Sequence, residues 1–329
     1  MELVVTLYTR KDCKPCDQAK TDLDALNSTI PHKLVVVDID QDPDLVALYG
    51  HKVPVVTAGP FTLAAPFDRR DLRKTLGAAQ DSHEMRIDLQ GEVYTKKLNR
   101  RQEMTGGDRL SHFISGRYML VVNLVLAIYL GLPFLAPVLM QAGYPKAAAP
   151  IYTVYKAVCH ELAFRSWFLF GEQTYYPREA AGIEGVATYG EVTGNNEENL
   201  IEARNFTGNP QLGYKIALCQ RDILIYAAML LFGIIFSLSG RKIKPLPFLI
   251  WVIVGIIPVA LDGGSQLLSQ WLPWFPYRES TPLLRSITGA LFGFTTGWFG
   301  FPALEESMRD TRQYLAAKRA RVESGPAAE

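Results

Sequence analysis

Two thiols separated by two residues, Cys13 and Cys16 in Thr9-Arg10-Lys11-Asp12-Cys13-Lys14-Pro15-Cys16, carry the sharpest chemical signal in this sequence. A strand-like apolar run (Leu3 to Tyr8) leads into them, and a helix-like run (Asp17 to Leu26) follows. That junction places the pair at a helix N-terminus. Backbone N–H groups and the helix dipole favour a thiolate there, and the second thiol can resolve a mixed disulfide. Arg10, Lys11 and Lys14 add positive charge, which lowers a thiol pKa further. The competing readings are two structural thiols or half of a zinc site. Zinc takes about four ligands, and His32 and His51 are the histidines nearby in sequence.

A second set of reactive side chains lies far down the chain: Cys159, His160, Cys219 and Asp222, with Arg165, Asp262, Gln266, Arg278 and Arg285. These groups sit at the ends of apolar runs, where ionisable side chains are costly unless paired, so a shared site is the default expectation. Three chemistries fit the cysteines. Cys159 and Cys219 can form a structural disulfide on an oxidising side. They can be a redox-active pair exchanging electrons with a quinone or a partner thiol. Or Cys159, His160, Cys219 and Asp222 can hold a metal such as zinc, although chain neighbours on a regular helix diverge by about 100°. Arg278, Arg285 and Asp262 either pair simply with one another or present arginines to a quinone carbonyl or a lipid phosphate.

The elements that must position these groups divide the chain in two. Over 329 residues, 34 Lys and Arg balance 33 Asp and Glu for a net charge of +1, which offers no case for a nucleic-acid partner. Charged residues crowd 1–117, and long apolar runs fill 118–303. Spans of a lipid bilayer are expected at about 118–140, 218–239, 246–262 and 286–304. Met1 leads straight into a strand with no signal-peptide pattern. Basic residues before the first span, at Arg241, Lys242 and Lys244, and at Lys318, Arg319 and Arg321 all fall on one side of a four-span chain. Both termini are therefore expected in the cytoplasm of a prokaryotic plasma-membrane protein. The acidic segment within 172–217 becomes an external loop, and Trp271, Trp274 and Tyr277 become interfacial belt residues. Ala147 to Gly171 carries Lys156, His160, Glu161 and Arg165, and is expected to lie at or dip into the outer interface. Residues 80–117 read as a linker, with a hairpin around Gln90-Gly91 and a basic juxtamembrane stretch. Residues 305–329 read as a tail.

Residues 1–79 alternate strand and helix patterns in a βαβ then ββα order, ending in a helix over Arg69 to Leu76. With Cys13-Lys14-Pro15-Cys16 and Lys52-Val53-Pro54, this stretch resembles the glutaredoxin/thioredoxin family. The resemblance implies an α/β thioredoxin-like domain in which Cys13 is the nucleophile and Cys16 the resolving thiol. It also implies a cis Pro54 that, with Val53, forms the substrate face. Residues 150–303 resemble the membrane-protein family DUF2085, on Cys159-His160, Arg165-Ser166, Cys219, Asp262-Gly263, Gln266, Arg278, Ser280, Arg285 and Thr288-Gly289. There the second cysteine of the family's Cys-x-x-Cys is Asp222. That resemblance implies an all-α membrane domain, here 118–304. The leading functional expectation is a membrane-anchored thiol–disulfide oxidoreductase acting on a protein or small thiol, with a quinone or metal site in the membrane domain. The alternatives are an accessory subunit of a larger respiratory or photosynthetic membrane complex, or a metal- or lipid-binding membrane protein.

Overall fold

In the computed structural model, which describes residues 2–272, 274 and 277–324, the chain forms two compact units: 1–117 with 306–329, and 118–305. The first unit is built on four strands, β1 (Leu3–Thr9), β2 (His32–Asp38), β3 (Val55–Ala58) and β4 (Phe61–Ala64), ordered β2-β1-β3-β4. β2 runs parallel to β1 with Leu3 opposite His32; β3 runs antiparallel to it with Tyr8 opposite Val55. The helices are α1 (Lys14–Leu26), α2 (Pro43–Tyr49) and α3 (Arg69–Gln102). Alternation along β1 explains the layering, since Leu3, Val5 and Leu7 face one way and pack on Leu23, Leu26, Leu72 and Leu76. Tyr8 packs on the opposite face with Val35, Val37, Leu45 and the helical Ala316 and Ala317. Residues 306–324 are thus part of this unit and not a free tail, and Arg319 is paired with Asp42 at 2.7 Å.

The expected hairpin at 87–94 is replaced by helix. The chain does turn at Gly91, whose φ of 37° breaks α3. The segments on either side are nevertheless helical, and the turn brings Tyr94 back onto buried His83, 3.1 Å from its Nδ1. Glycine reaches that left-handed conformation without a Cβ clash, which is what lets two helical pieces fold together here.

The second unit contains the apolar part of α4 (Gly106–Gln141), then α5 (Pro145–Val158) and β5 (Ser166–Leu169). Next come α6 (Tyr189–Thr193), α7 (Leu200–Asn205), β6 (Gly208–Asn209), β7 (Gly213–Cys219) and α8 (Gln220–Leu238). α9 (Phe248–Ile250) passes through a π-helical stretch, Trp251–Ile256, into α10 (Ile257–Trp271); α11 (Pro282–Glu323) follows. Among the described residues three helices are long and apolar enough to cross a membrane: Gly106–Gln141, Gln220–Leu238 and Phe248–Ser269. At 19 residues α8 is about 28 Å long, close to the hydrocarbon thickness of about 30 Å. The fourth expected span lies inside α11 and is helical throughout, but is interrupted by glycine and threonine. Leu120, Leu124, Ile128, Leu231, Leu249 and Ile253 turn outward, a lipid-facing pattern that water would penalise.

The four segments alternate in direction. α8 and α11 run parallel, with backbones so close that a Cβ at Gly289 would fall 2.6 Å from the Arg221 carbonyl oxygen. One turn on, a Cβ at Gly293 would collide with the carbonyl of Ile225. α4 runs opposite to α8, through Tyr129 against Tyr226 and Asn123 bonded to Ser237 at 3.1 Å. Arg241 and Tyr118 meet Glu305 at one end of this unit, at 3.5 and 2.8 Å.

Two regions of the second unit stand apart from its long helices. In 147–171, expected to lie at or dip into the outer interface, the helix is α5, whose 14 residues from Pro145 to Val158 are too few to span a bilayer; a short 3₁₀ turn and β5 follow it. The unit is helical as expected, and it also carries a small sheet. Segment 172–217 is folded against the stretch before it: β7 and β6 join β5 in a three-stranded sheet ordered β5-β7-β6, and Tyr176, Tyr189 and Leu212 share a core with Phe164 and Phe168. Gly213, at φ 77°, has no room for a Cβ against the carbonyl of Leu169, so this sheet depends on it.

Candidate functional site

β1 delivers the chain to the first site and α1 receives it. Asp12 adopts the left-handed conformation (φ 56°), and Cys13 becomes the N-cap of α1, its carbonyl accepting from the Cys16 N–H at 2.9 Å. Pro15 starts the helix, where its missing N–H costs nothing. Cys13 and Cys16 are joined as a disulfide, with Cα atoms 5.2 Å apart. Their environments differ: Cys16 is buried, whereas Cys13 is half-buried and reachable. The Val53–Pro54 peptide is cis. Because Tyr8 pairs with Val55, buried Pro54 lies at the end of β1 from which the Cys13 loop departs. Arg10 does not serve the pair as expected. It bonds Asp40 at 2.7 Å and the Gly50 carbonyl at 3.3 Å, leaving Lys11 and Lys14 as the cations beside the cysteines in sequence.

The second unit contains a different site, again starting at a helix N-cap. Cys219 ends β7 and caps α8, its Sγ accepting from the Asp222 N–H at 3.5 Å. Cys159 caps the C-terminus of α5 and is buried in the cluster of Tyr152, Tyr155, Ile216 and Leu218. The ligand atoms of Cys159, Cys219 and Asp222 all lie within 4.8 Å of one another, and both thiols are free. Contact with Cys219 and burial both push the Cys159 thiol pKa up, which favours its neutral form. His160 does not join the cluster. Cys159 leaves α5 in extended backbone (φ −137°, ψ 151°), which turns successive side chains to opposite sides. His160 nonetheless lines the same cavity of about 240 Å³, together with Cys159, Cys219, Asp222, Arg165, Arg221, Gln266 and Arg285.

Behind these groups two buried carboxylates organise five arginines. Glu279 takes two bonds from Arg165, both at 2.9 Å, and further contacts from Arg285 and, at 3.4 Å, Arg178. Burial alone would raise the Glu279 carboxyl pKa, but Arg165, Arg285 and Arg178 outweigh it and hold the group below its ordinary value. Asp262 pairs with Arg221, with Arg278 at 3.1 Å, and accepts from Ser280 at 3.0 Å. The pairing expected among Arg278, Arg285 and Asp262 is therefore split, because Arg285 goes to Glu279. Neither Glu279 nor Asp262 lines the cavity, whereas Arg165, Arg221 and Arg285 do.

Glu279, Arg178, Arg221 and a buried Glu161–Lys215 pair were not read as site residues. Glu279 and Arg221 sit inside the polar strings 277–280 and 219–222, so a local signal existed. Lys215 carried none. Its Nζ donates to the Glu161 and Arg204 carbonyls at 2.6 and 2.7 Å, contacts that only the fold creates.

Fold and site define a thioredoxin-like dithiol module joined to a helical membrane module, and comparison with known proteins agrees. Residues 4–85 match a family described as a glutaredoxin-like domain (DUF836), and residues 203–299 match a predicted membrane protein family, DUF2085. One stretch of the chain thus matches a glutaredoxin-like domain and a later stretch a DUF2085 membrane domain. The second match begins after Cys159, His160 and Arg165, whose place beside Cys219 rests on the geometry alone. The chain is similar to the uncharacterized protein MJ1492 of Methanocaldococcus jannaschii, 27% identical over 198 residues that make up 57% of this chain and 93% of that protein. A solved structure, the structural-genomics target XcR50 of X. campestris, is 41% identical; the match covers 22% of this chain and 96% of that chain at a TM-score of 0.20.

Proposed function

We propose that this membrane-anchored protein is a thiol–disulfide oxidoreductase whose working groups are Cys13 and Cys16. The supporting observation is the asymmetry of the pair at the start of α1: a reachable Cys13 at the N-cap and a buried Cys16 bonded to it. In the reduced enzyme the Cys13 thiolate attacks one sulfur of a substrate disulfide, and the other sulfur leaves as a thiolate. Cys16 then attacks Cys13 and expels the reduced substrate. The two electrons given to the substrate come from forming the Cys13–Cys16 disulfide, and a small-molecule or protein dithiol restores the enzyme. Pro54 and Val53, at the end of β1, provide the surface against which the substrate chain rests. Both termini occupy the cytoplasmic face, a reading supported by the alternating directions of α4, α8, α10 and the apolar part of α11.

Full-length protein in detergent should reduce a protein disulfide when supplied with a dithiol donor. Cys13→Ser should stop turnover, while Cys16→Ser should accumulate a mixed disulfide at Cys13, identified by peptide mass. Turnover that persists in Cys13→Ser would overturn the assignment.

A further inference from the structure

Cys159, Cys219 and Asp222 come from two different elements, the C-terminus of α5 and the N-terminus of α8, and are brought to one point by the packing of α5 on β7. Two thiols and a carboxylate within 4.8 Å suit a thiophilic dication of the zinc class, for which sulfur and oxygen ligands lie at about 2.0–2.3 Å. Three protein ligands leave a tetrahedral ion one position short, the arrangement that keeps a site open to an exogenous ligand. That position would open into the cavity of about 240 Å³ that all three residues line.

The same cavity supplies the independent observation. Gln266 is 4% exposed, and its Nε2 has no hydrogen-bond partner; the buried Nε of Arg221 has none either. Both residues line the same cavity, and both unpartnered atoms are donors. Buried donors left unpaired are costly, so they mark where an acceptor belongs. Charge leads to the same conclusion. Five arginines against Glu279 and Asp262 leave three positive charges; two thiolates and a carboxylate around a dication offset one of them, which leaves the surroundings suited to an anion.

We infer that the second unit binds a zinc-class divalent cation through Cys159, Cys219 and Asp222, with a small anion as fourth ligand held by Arg221 Nε and Gln266 Nε2. The site is distinct from the Cys13–Cys16 dithiol and does not depend on its chemistry.

The test uses full-length protein in detergent, purified without oxygen, with Cys13→Ser and Cys16→Ser removing the other thiols. Titration with Co²⁺ should reach one equivalent with a sulfur-to-metal charge-transfer band, and Zn²⁺ should displace it. Cys159→Ser and Cys219→Ser should abolish the band. Asp222→Asn should weaken binding by more than the about 10–100-fold that outer-shell substitutions cost. Thermal unfolding of each metal-free variant, compared with the metal-free parent, separates loss of a ligand from loss of the fold. Azide should shift the cobalt spectrum, and Arg221→Gln or Gln266→Leu should weaken that response about tenfold while leaving one bound metal. Equal metal affinity in folded Cys159→Ser, Cys219→Ser and Asp222→Asn proteins overturns the site. So does a Cys159–Cys219 disulfide in the anaerobic protein. An azide response indifferent to Arg221 and Gln266 overturns the anion assignment.

Discussion

Both units place a cysteine at the N-cap of a helix, Cys13 on α1 and Cys219 on α8, yet the two caps have different partners. Three residues on, α1 offers Cys16 and α8 offers Asp222. The first pair closes on itself as a disulfide within one turn and needs nothing from the rest of the fold. The second has no thiol to close with locally, and takes Cys159 from another helix and cavity-lining arginines from α8 itself and from two more segments. The same helix-terminal electrostatics thus serves a self-contained dithiol in one case and an open constellation in the other. The surroundings differ accordingly. Around Cys13 the nearby ion pair, Arg10–Asp40, is exposed, whereas Glu279 and Asp262 behind the second site are 2% and 3% exposed at their side chains.

The largest effect that separates the two caps is catalytic. Cys13→Ser should remove disulfide turnover although Cys219 still occupies its own N-cap; residual turnover tracking Cys219 would erase the distinction. A converse substitution sharpens it: Asp222→Cys recreates Cys-x-x-Cys on α8 and should lose two titratable thiols on mild oxidation, measured by thiol alkylation and mass. Failure to oxidise would show that the α8 cap holds its side chains apart.

In stability the order reverses. Glu279→Ala strands Arg165, Arg178 and Arg285 and should cost about 3–5 kcal/mol in denaturant unfolding. Glu279 also has a pH signature. Its folded pKa lies below the ordinary 4.5, so its contribution is complete above that value and is lost as pH falls through the folded pKa. The acid limb of the unfolding midpoint should flatten in Glu279→Gln. Gly293→Val, pressed on the Ile225 carbonyl, should cost about 1–3 kcal/mol or more. Asp40→Asn, at the exposed pair beside the first site, should leave the unfolding midpoint nearly unchanged. A comparable loss at Asp40 and Glu279 would contradict the contrast in burial.

The first site was legible because everything it needs is local. Strand alternation in Leu3 to Tyr8, the Cys-x-x-Cys spacing and Val53-Pro54 describe the sheet, the helix cap and the dithiol within about 50 residues. The same periodicity reasoning misread 87–94, because a turn at Gly91 looks alike whether strands or helices flank it. It also missed that 306–324 covers the second face of the sheet, since Ala316 and Ala317 bear no mark of their partner.

By itself the sequence determined the two modules, the apolar segments and which residue types are expensive where they stand. Pattern and composition act over a few turns of chain, and those properties are of that range. Only the tertiary structure decided who meets whom. It divided the arginines between Glu279 and Asp262, excluded His160 while admitting Asp222, and brought Cys159 and Gln266 into one cavity with Cys219 and Arg221. Those pairings depend on how glycine-faced helices approach and where α5 ends, distances that packing sets and no local spacing encodes.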